Sequence, residues 1–261
     1  MNTRSVPAVH GWRWIVQGYA LFRQNPATWL ALVVLLFVTA KLILRIPLFG
    51  LAFALFMPIF IAGLMEGCRE VERGGRLGLS HLAAGFRRNA AQLVTIGGVS
   101  LVGNLVIMMI VLSIGGDAMA ELNKRVAQGA AVTAQTRLEM QGALVTVGRA
   151  LIVGTLASVP LLMALWFAPL LVYFDDEGAL AAMKASFVAC LKNAGAMLLY
   201  GGVIFAAMFL VMPLSLAIGQ YDFALLLLAP VVLPSLYVSY KDIFLAGEPP
   251  ERHTDSVSGS A

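Results

Sequence analysis

Six long apolar runs divide the chain, and short polar or amphipathic stretches separate them. A helix needs about 20 apolar residues to cross the hydrocarbon core of a bilayer. The pattern therefore predicts an all-α, polytopic membrane bundle of six transmembrane helices within one transmembrane domain, residues 1–246. The predicted spans are residues 27–44, 47–66, 91–115, 147–174, 194–218 and 223–244. Residues 247–261 are rich in Pro, Ser and charge, and we expect a disordered cytoplasmic tail.

Three amphipathic stretches precede apolar runs, at residues 9–24, 77–89 and 178–191. In the first, Trp12, Ile15, Tyr19 and Phe22 recur at helical spacing. Trp and Tyr favour the headgroup level, so we predict three interfacial helices on the inner leaflet. They would either contact anionic lipid or pack as collars around the bundle. Three basic residues are the predicted lipid headgroup contacts: Arg87, Arg88 and Lys192.

A threefold repeat is suggested by the asparagines that end these stretches, Asn25, Asn89 and Asn193. An apolar span begins immediately after each, which is typical of a helix N-cap. Pro58 and Pro169 in the returning spans are each followed by Glu-Gly at offsets of eight and nine residues. We therefore predict three units of surface helix, ascending span and Pro-bearing descending span. The alternative is coincidence, because capping residues and Pro are common in such helices.

Irregular positions within the spans are few. Pro160 and Pro169 should kink the fourth span, because proline removes an intrahelical hydrogen bond. Asn104 lies in the middle of the third span, and we expect it to bond to a neighbouring helix. Small residues around it should allow close helix packing. Residues 117–142 form the longest polar stretch, for which we predict a mobile helical excursion.

Composition and charge support a membrane protein and give it an orientation. The chain is 60% hydrophobic and 12% charged, with a mean hydropathy of +0.86, unlike soluble domains. The net charge of +4 comes without a basic stripe, so nucleic acid is not an expected partner. With both termini cytoplasmic, 12 of the 18 Lys and Arg residues lie inside, as the positive-inside rule requires. No cleavable signal peptide is expected.

Candidate chemistry is sparse. His10, His81 and His253 are far apart, and no metal, cofactor or catalytic motif is predicted. Cys68 and Cys190 should be reduced thiols on the cytoplasmic side. The acidic residues at positions 175–177 could bind a divalent cation, but a helix-start cluster favoured by the macrodipole explains them more simply.

Two segments carry a family resemblance. Residues 6–30 and 167–201 resemble an uncharacterised family of bacterial multi-pass inner-membrane proteins. The descending span, the Ala-x-x-x-Ser-Phe motif from Ala182 to Phe187 and the following Lys-Asn are also similar to the membrane domain of glycerophosphodiester phosphodiesterases. The resemblance implies a membrane fold, and it implies neither phosphodiesterase activity nor site residues.

The leading functional hypothesis is therefore a non-enzymatic inner-membrane scaffold or lipid-interacting component, whose partner is the lipid bilayer, anionic lipid included. The alternative is a permease for a small or lipidic substrate, with a path near Asn104, Pro160 and Pro169. A membrane enzyme is the third hypothesis. A polar cavity reaching mid-bilayer would favour transport, an apolar sealed bundle would favour the scaffold, and convergent carboxylates and histidines in one cleft would favour an enzyme.

Overall fold

The computed structural model describes residues 3–127, 134–220 and 222–245. In these ranges every regular element is helical. The α-helices are α1 (His10–Gln24), α2 (Pro26–Ile43), α3 (Pro47–Glu72), α4 (Ala90–Ala127), α5 (Ala134–Trp166), α6 (Ala168–Phe174), α7 (Ala179–Lys192), α8 (Ala194–Ala217) and α9 (Phe223–Tyr240). A 3₁₀ helix at Leu79–Phe86 precedes α4, and a π-helical turn at Lys241–Leu245 follows α9.

Six helical segments are long and apolar enough to cross a membrane, which confirms the all-α membrane bundle. They are Pro26–Ile43, Phe49–Glu72, Ala90–Arg125, Met140–Phe174, Ala194–Ala217 and Phe223–Leu245. The backbone N–H of Arg4 donates to the carbonyl of Ile243 at 2.9 Å, so the two ends of the described chain lie on the same side. We call this the surface-helix side. The predicted disordered tail lies outside the described residues.

The buried core is concentrated on the surface-helix side of the bundle. Along α8, Ala196 and Tyr200 near its start are buried, whereas Phe205 and Phe209 further along are more than 70% exposed. The ends of α3 and α9 on this side are likewise buried, whereas Phe49 and Leu225 near their opposite ends are more than half exposed. The apolar surface on the far halves of the spans is the surface that hydrocarbon would cover.

The hairpin of α4 and α5 is longer than the sequence predicts. The polar stretch at 117–142 was expected as a separate excursion, but its described part continues these two helices to Ala127 and from Ala134. A helix of 38 residues is about 57 Å long at 1.5 Å per residue, compared with about 30 Å of hydrocarbon. Small residues let the two helices approach closely: a Cβ added to Gly103, near Asn104, would lie 2.7 Å from the side chain of Leu161 in α5.

The fourth span is broken at Pro169 rather than kinked as one helix. The helix α5 ends at Trp166, and α6 begins at Ala168 with Pro169 in its first turn. At the break, the hydroxyl of Ser186 in α7 accepts a hydrogen bond from the Phe167 N–H (2.9 Å) and donates to the Met163 carbonyl (2.7 Å). These are the two groups that a continuous helix would have paired directly. The other predicted kink site, Pro160, remains inside α5.

The order of elements agrees with three units of surface helix, ascending span and descending span, although the second surface helix is 3₁₀. Each surface helix packs on the descending span of the preceding unit, in a cyclic arrangement: α1 on α9, the 3₁₀ helix on α3, and α7 on α5 and α6. The contacts are close. A Cβ added to Gly18 of α1 would lie 2.6 Å from Ser235 in α9, and one added to Gly85 would lie 2.1 Å from the Ile59 carbonyl in α3.

Two of the three repeat asparagines make the same contact. The side-chain amide of Asn89 donates to the carbonyl of Val172 (2.9 Å), and that of Asn193 donates to the carbonyl of Arg4 (3.0 Å). Val172 precedes Asn193 by 21 residues, and Arg4 precedes Asn25 by 21. The amino-terminal segment therefore occupies the position beside Asn193 that the end of α6 occupies beside Asn89. This shared register supports the threefold repeat.

Candidate functional site

The first surface helix is anchored by a stripe that differs from the predicted apolar one. The buried residues of α1 are Gly11, Trp14, Gly18 and Leu21. Gly11 lies against the backbone of α8, where a Cβ would come within 2.3 Å of the Ala196 carbonyl oxygen. Of the predicted face, Trp12 and Tyr19 are about half exposed, whereas Ile15 and Phe22 pack partly against the core. Small residues on the buried stripe allow helix backbones to approach, which large side chains would prevent.

The exposed part of α1 has two distinct faces. One carries Trp12, Val16, Tyr19 and Arg23, and the Arg23 guanidinium lies 5.9 Å from the centre of the Tyr19 ring. Because these positions are spaced by three or four residues, they form one stripe. The second face is polar and borders a cleft. The helix α1 therefore has three sides: one packs on the bundle, one is exposed and largely apolar, and one is polar and borders the cleft.

The polar cleft has a volume of about 540 Å³ and lies between α1, the end of α3 and the π-helical turn. Its lining residues are His10, Arg13, Trp14, Gln17, Ala20, Leu21, Gln24, Glu72, Val238, Lys241, Asp242 and Leu245. One histidine and two carboxylates therefore converge here, which is the arrangement that would favour an enzyme.

The ionisable groups of this cleft are already paired within the protein. Asp242 accepts hydrogen bonds from His10 Nδ1 (2.7 Å) and from the Trp14 indole N–H (2.8 Å). Glu72 accepts a bond from the Tyr237 hydroxyl (3.1 Å) and forms an ion pair with Lys241. His10 Nε2 lies 3.3 Å from the Arg13 guanidinium.

The hydrogen bonds of the cleft favour a structural reading. The bonds from His10 and Trp14 to Asp242 join the first surface helix to the end of the last span. We therefore interpret this cluster as a tie between α1 and the π-helical turn.

The acidic residues between α6 and α7 bind neighbouring elements separately. Asp175 accepts a hydrogen bond from the Tyr240 hydroxyl (2.8 Å), and Asp176 accepts bonds from Arg88 and Asn89. Residues 175–177 lie directly before the N-cap of α7, Gly178, and no acidic residue lies in the first turn of the helix itself. The Arg88 hydrogen bond, followed by that of Asn89, lowers the pKa of Asp176 below the ordinary value.

The three predicted headgroup contacts differ in their surroundings. Arg88 makes an ion pair with Asp176, and this hydrogen bond raises the pKa of its guanidinium. Lys192 is exposed and donates to the Thr3 hydroxyl at 3.0 Å. Arg87 has an exposed side chain on the same side of the bundle. Of the three, Arg88 is the one already engaged by a carboxylate.

The predicted roles of the asparagines need correction. Asn25 and Asn193 occupy the N-cap positions of α2 and α8, but neither side chain makes the capping hydrogen bond. The Asn193 amide instead accepts from the Val6 N–H at 2.8 Å and donates to carbonyls. Asn104 is exposed and donates to the Ser100 carbonyl of its own helix (2.8 Å), not to a neighbouring helix. The described cavities are not lined by Asn104.

Neither the cysteines nor the acidic residues form a metal centre in the described ranges. No group of three or more His, Cys, Asp or Glu side chains there is placed to hold a metal ion. Cys68 and Cys190 are free and buried, and burial raises the pKa of the Cys190 thiol to about 12. A thiol in such a site is a poor nucleophile near neutral pH.

Comparison with known proteins supports the membrane assignment. The chain is 29% identical over 265 residues to a probable inner membrane protein of Burkholderia thailandensis, and the match covers 95% of this chain and 96% of the relative. No family model matches the chain, and no solved structure matches it significantly. Nothing in these comparisons supports the resemblance to the phosphodiesterase membrane domain. The relative and the six apolar helices together indicate a multi-pass inner-membrane protein.

Proposed function

We propose that this protein is a non-enzymatic, lipid-interacting component of the bacterial inner membrane, with its surface-helix side in the cytoplasm. The observation that carries the proposal is the exposed stripe of Trp12, Val16, Tyr19 and Arg23 on α1. The opposite stripe of the same helix is fixed in the bundle, so the position of the exposed stripe is set by the fold.

The composition of this stripe suits the boundary between headgroups and acyl chains. Trp and Tyr rings are amphipathic and are enriched at that level, and a neighbouring arginine attracts anionic headgroups. The stripe lies at the end of the bundle where the spans begin and end. Contact with lipid explains the half-exposed Trp12 and Tyr19 rings at this level better than packing within the bundle does.

The orientation rests on the distribution of basic residues. Of the 17 Lys and Arg residues in the described ranges, 11 belong to the segments of the surface-helix side. The positive-inside rule assigns such a side to the cytoplasm. Reporter fusions after residue 130, between α4 and α5, and after residue 247 test this directly. The first should be active only as a periplasmic reporter and the second only as a cytoplasmic one; the reverse result refutes the orientation.

Lipid interaction is tested with matched pairs of arginine substitutions. Arg23→Gln with Arg87→Gln removes two exposed cations from the surface-helix side, whereas Arg137→Gln with Arg149→Gln removes two from the opposite side. Phosphatidylglycerol that remains bound after gentle extraction is measured by mass spectrometry. We expect the first pair to lower it several-fold, since each basic residue near an anionic surface contributes about 1 kcal/mol. Equal retention in the two pairs would refute selective binding of anionic lipid at this side.

A further inference from the structure

The side-chain amide of Asn104 is exposed on the outside of the bundle, at a depth where lipid surrounds the helices. Asn104 follows Ala90, the first residue of α4, by 14 residues and precedes Asp117 by 13, with no charged residue between these two ends. At 1.5 Å per residue, these separations are about 21 and 20 Å along the helix. Because the hydrocarbon core is about 30 Å thick, the amide lies near its middle.

The hydrogen bonds of Asn104 leave part of its amide unpaired. Its NH₂ group donates to the Ser100 carbonyl at 2.8 Å and lies 3.4 Å from the Ser100 hydroxyl, one turn earlier in the same helix. Within residues 3–127, 134–220 and 222–245, no donor reaches the carbonyl oxygen of this amide, which can accept two hydrogen bonds. Hydrocarbon supplies no donor either, and polar groups within spans are almost always turned toward protein or water.

Asn104 belongs to an open stripe of α4. Asn104, Met108 and Leu112 are spaced by four residues and lie on one side of the helix, and the last two are more than half exposed. Packing of α4 within the bundle uses other positions. A Cβ added to Gly97 would lie 2.0 Å from a backbone carbonyl oxygen of α3, and one added to Gly103 would lie 2.7 Å from a side chain of α5. We call the three exposed residues the Asn104 stripe.

The hydrogen-bonding capacity of the amide identifies the partner that this stripe fits. A primary amide is its own complement, because the NH₂ group of one can donate to the carbonyl oxygen of another. In a two-fold dimer each residue can meet its counterpart, so both bonds form at once. Copies inserted with the same topology also carry Asn104 at the same depth. A second copy of the chain therefore supplies the missing donor without any further polar residue.

The side chains around the amide allow such an approach. Ser100 is one turn before Asn104, and its small side chain lets a second helix come close. Met108 is one turn after Asn104, and its unbranched side chain can adapt to the surface of a partner. Since the stripe carries no charge, two copies meet there without electrostatic repulsion.

We propose that two copies of this protein associate within the membrane through the Asn104 stripe, with reciprocal hydrogen bonds between their Asn104 amides. The contact is formed by protein in the middle of the bilayer. It is therefore separate from the lipid contact of α1 at the surface-helix side and goes beyond the function proposed above.

Photocrosslinking in membrane vesicles tests which face of α4 makes the contact. The photoreactive residue p-benzoylphenylalanine replaces Met108 or, as the matched control, Met109. Both methionines are more than half exposed, but Met109 lies about 100° further round the helix, away from the stripe. We expect irradiation to give a covalent dimer from position 108 and several-fold less from position 109. Equal yields, or no dimer from either position, overturn the proposal, and a product with a different protein overturns the second copy as partner.

Energy transfer between donor-labelled and acceptor-labelled copies tests the amide itself, in phosphatidylcholine vesicles of increasing protein-to-lipid ratio. Asn104→Leu removes the reciprocal bonds while retaining an apolar surface. Ser113→Ala is the matched control, because its hydroxyl is also exposed on α4 and donates to the Ile110 carbonyl of the same helix at 2.8 Å. We expect Asn104→Leu to weaken association about tenfold and Ser113→Ala to leave it unchanged. Equal association of the wild type and both variants overturns the amide pairing.

The dimer and the lipid contact are tested independently. The vesicles for energy transfer contain no anionic lipid, so association in them reports on the contact between copies alone. Loss of bound phosphatidylglycerol in the arginine variants, by contrast, does not depend on Asn104.

Discussion

The hydroxyl of Ser186 is the clearest single group on which the fold depends. It stands between the N–H of Phe167 and the carbonyl of Met163, at 2.9 and 2.7 Å, and replaces the helical bond that the break at Pro169 opens. The substitution Ser186→Ala removes both hydrogen bonds while changing the side-chain volume little. Ser186 and Phe167 are fully buried, so water has no access to the groups left behind.

The expected cost follows from hydrogen bonds measured between membrane helices. Such bonds average about 0.6 kcal/mol and reach about 1.7 kcal/mol, so the loss of two corresponds to about 1–3 kcal/mol. The helix cannot recover this loss by closing the gap, because the ring of Pro169 would then collide with the carbonyl of Leu165. The N–H of Phe167 should therefore stay unpaired in the variant, whereas the Met163 carbonyl keeps only the weak hydrogen bond from the Cys190 thiol at 3.6 Å.

The assay is reversible unfolding in mixed dodecyl maltoside and dodecyl sulfate micelles, followed by far-ultraviolet circular dichroism. Ser158→Ala is the matched control, because the Ser158 hydroxyl bonds only to the Thr155 carbonyl of its own helix. We expect Ser186→Ala to lower the free energy of unfolding by about 1–3 kcal/mol more than Ser158→Ala. A difference below about 0.5 kcal/mol, within the usual scatter of neutral substitutions, would refute the bridging role.

Three further predictions concern contacts between the units. Gly18→Leu should prevent stable folding, because its Cβ would lie 2.6 Å from α9, whereas Gly202→Leu should yield normal amounts of monodisperse protein in size-exclusion chromatography. Asn193→Ala should release the amino-terminal segment, measured as faster proteolysis near the first residues; an unchanged rate would contradict the shared register. Because the folded-state pKa of Asp176 is depressed, its stabilisation is present above the ordinary carboxyl range near pH 4 and is lost as the pH falls through the folded value. Arg88→Gln should therefore make unfolding less dependent on pH below 4, and an identical profile would refute the pairing.

Hydrophobic patterning was sufficient to predict the membrane spans. Backbone groups in hydrocarbon must be hydrogen-bonded within the protein, and a single long apolar run satisfies this by forming a helix. The start of α8 at Ala194 and of α9 at Phe223 follow directly from the residues that precede them. The length of α4 was missed because polar residues 117–127 signal the end of a span but not the end of a helix.

The candidate site was predictable only in part. Trp12 and Tyr19 indicated an interfacial helix, and the structure leaves both half exposed. The pair His10–Asp242 was not predicted, because 232 residues separate its members and neither belongs to a known motif. In the sequence, Asp242 follows Pro234 by eight residues, as Glu66 follows Pro58, and this shared offset was the available signal.

The sequence by itself thus determined that the chain crosses the membrane as hairpins, where each apolar run begins, and which segments lie between the spans. The tertiary structure decided which face of each surface helix is buried and what the polar groups bind. The physical reason is that lipid solvates large apolar side chains as well as a protein core does, so hydrophobicity alone cannot select the packed face. Close approach through Gly11 and Gly18, and hydrogen bonds such as that of Asn193 to Arg4, select it instead, and their partners are known only once the three units are assembled.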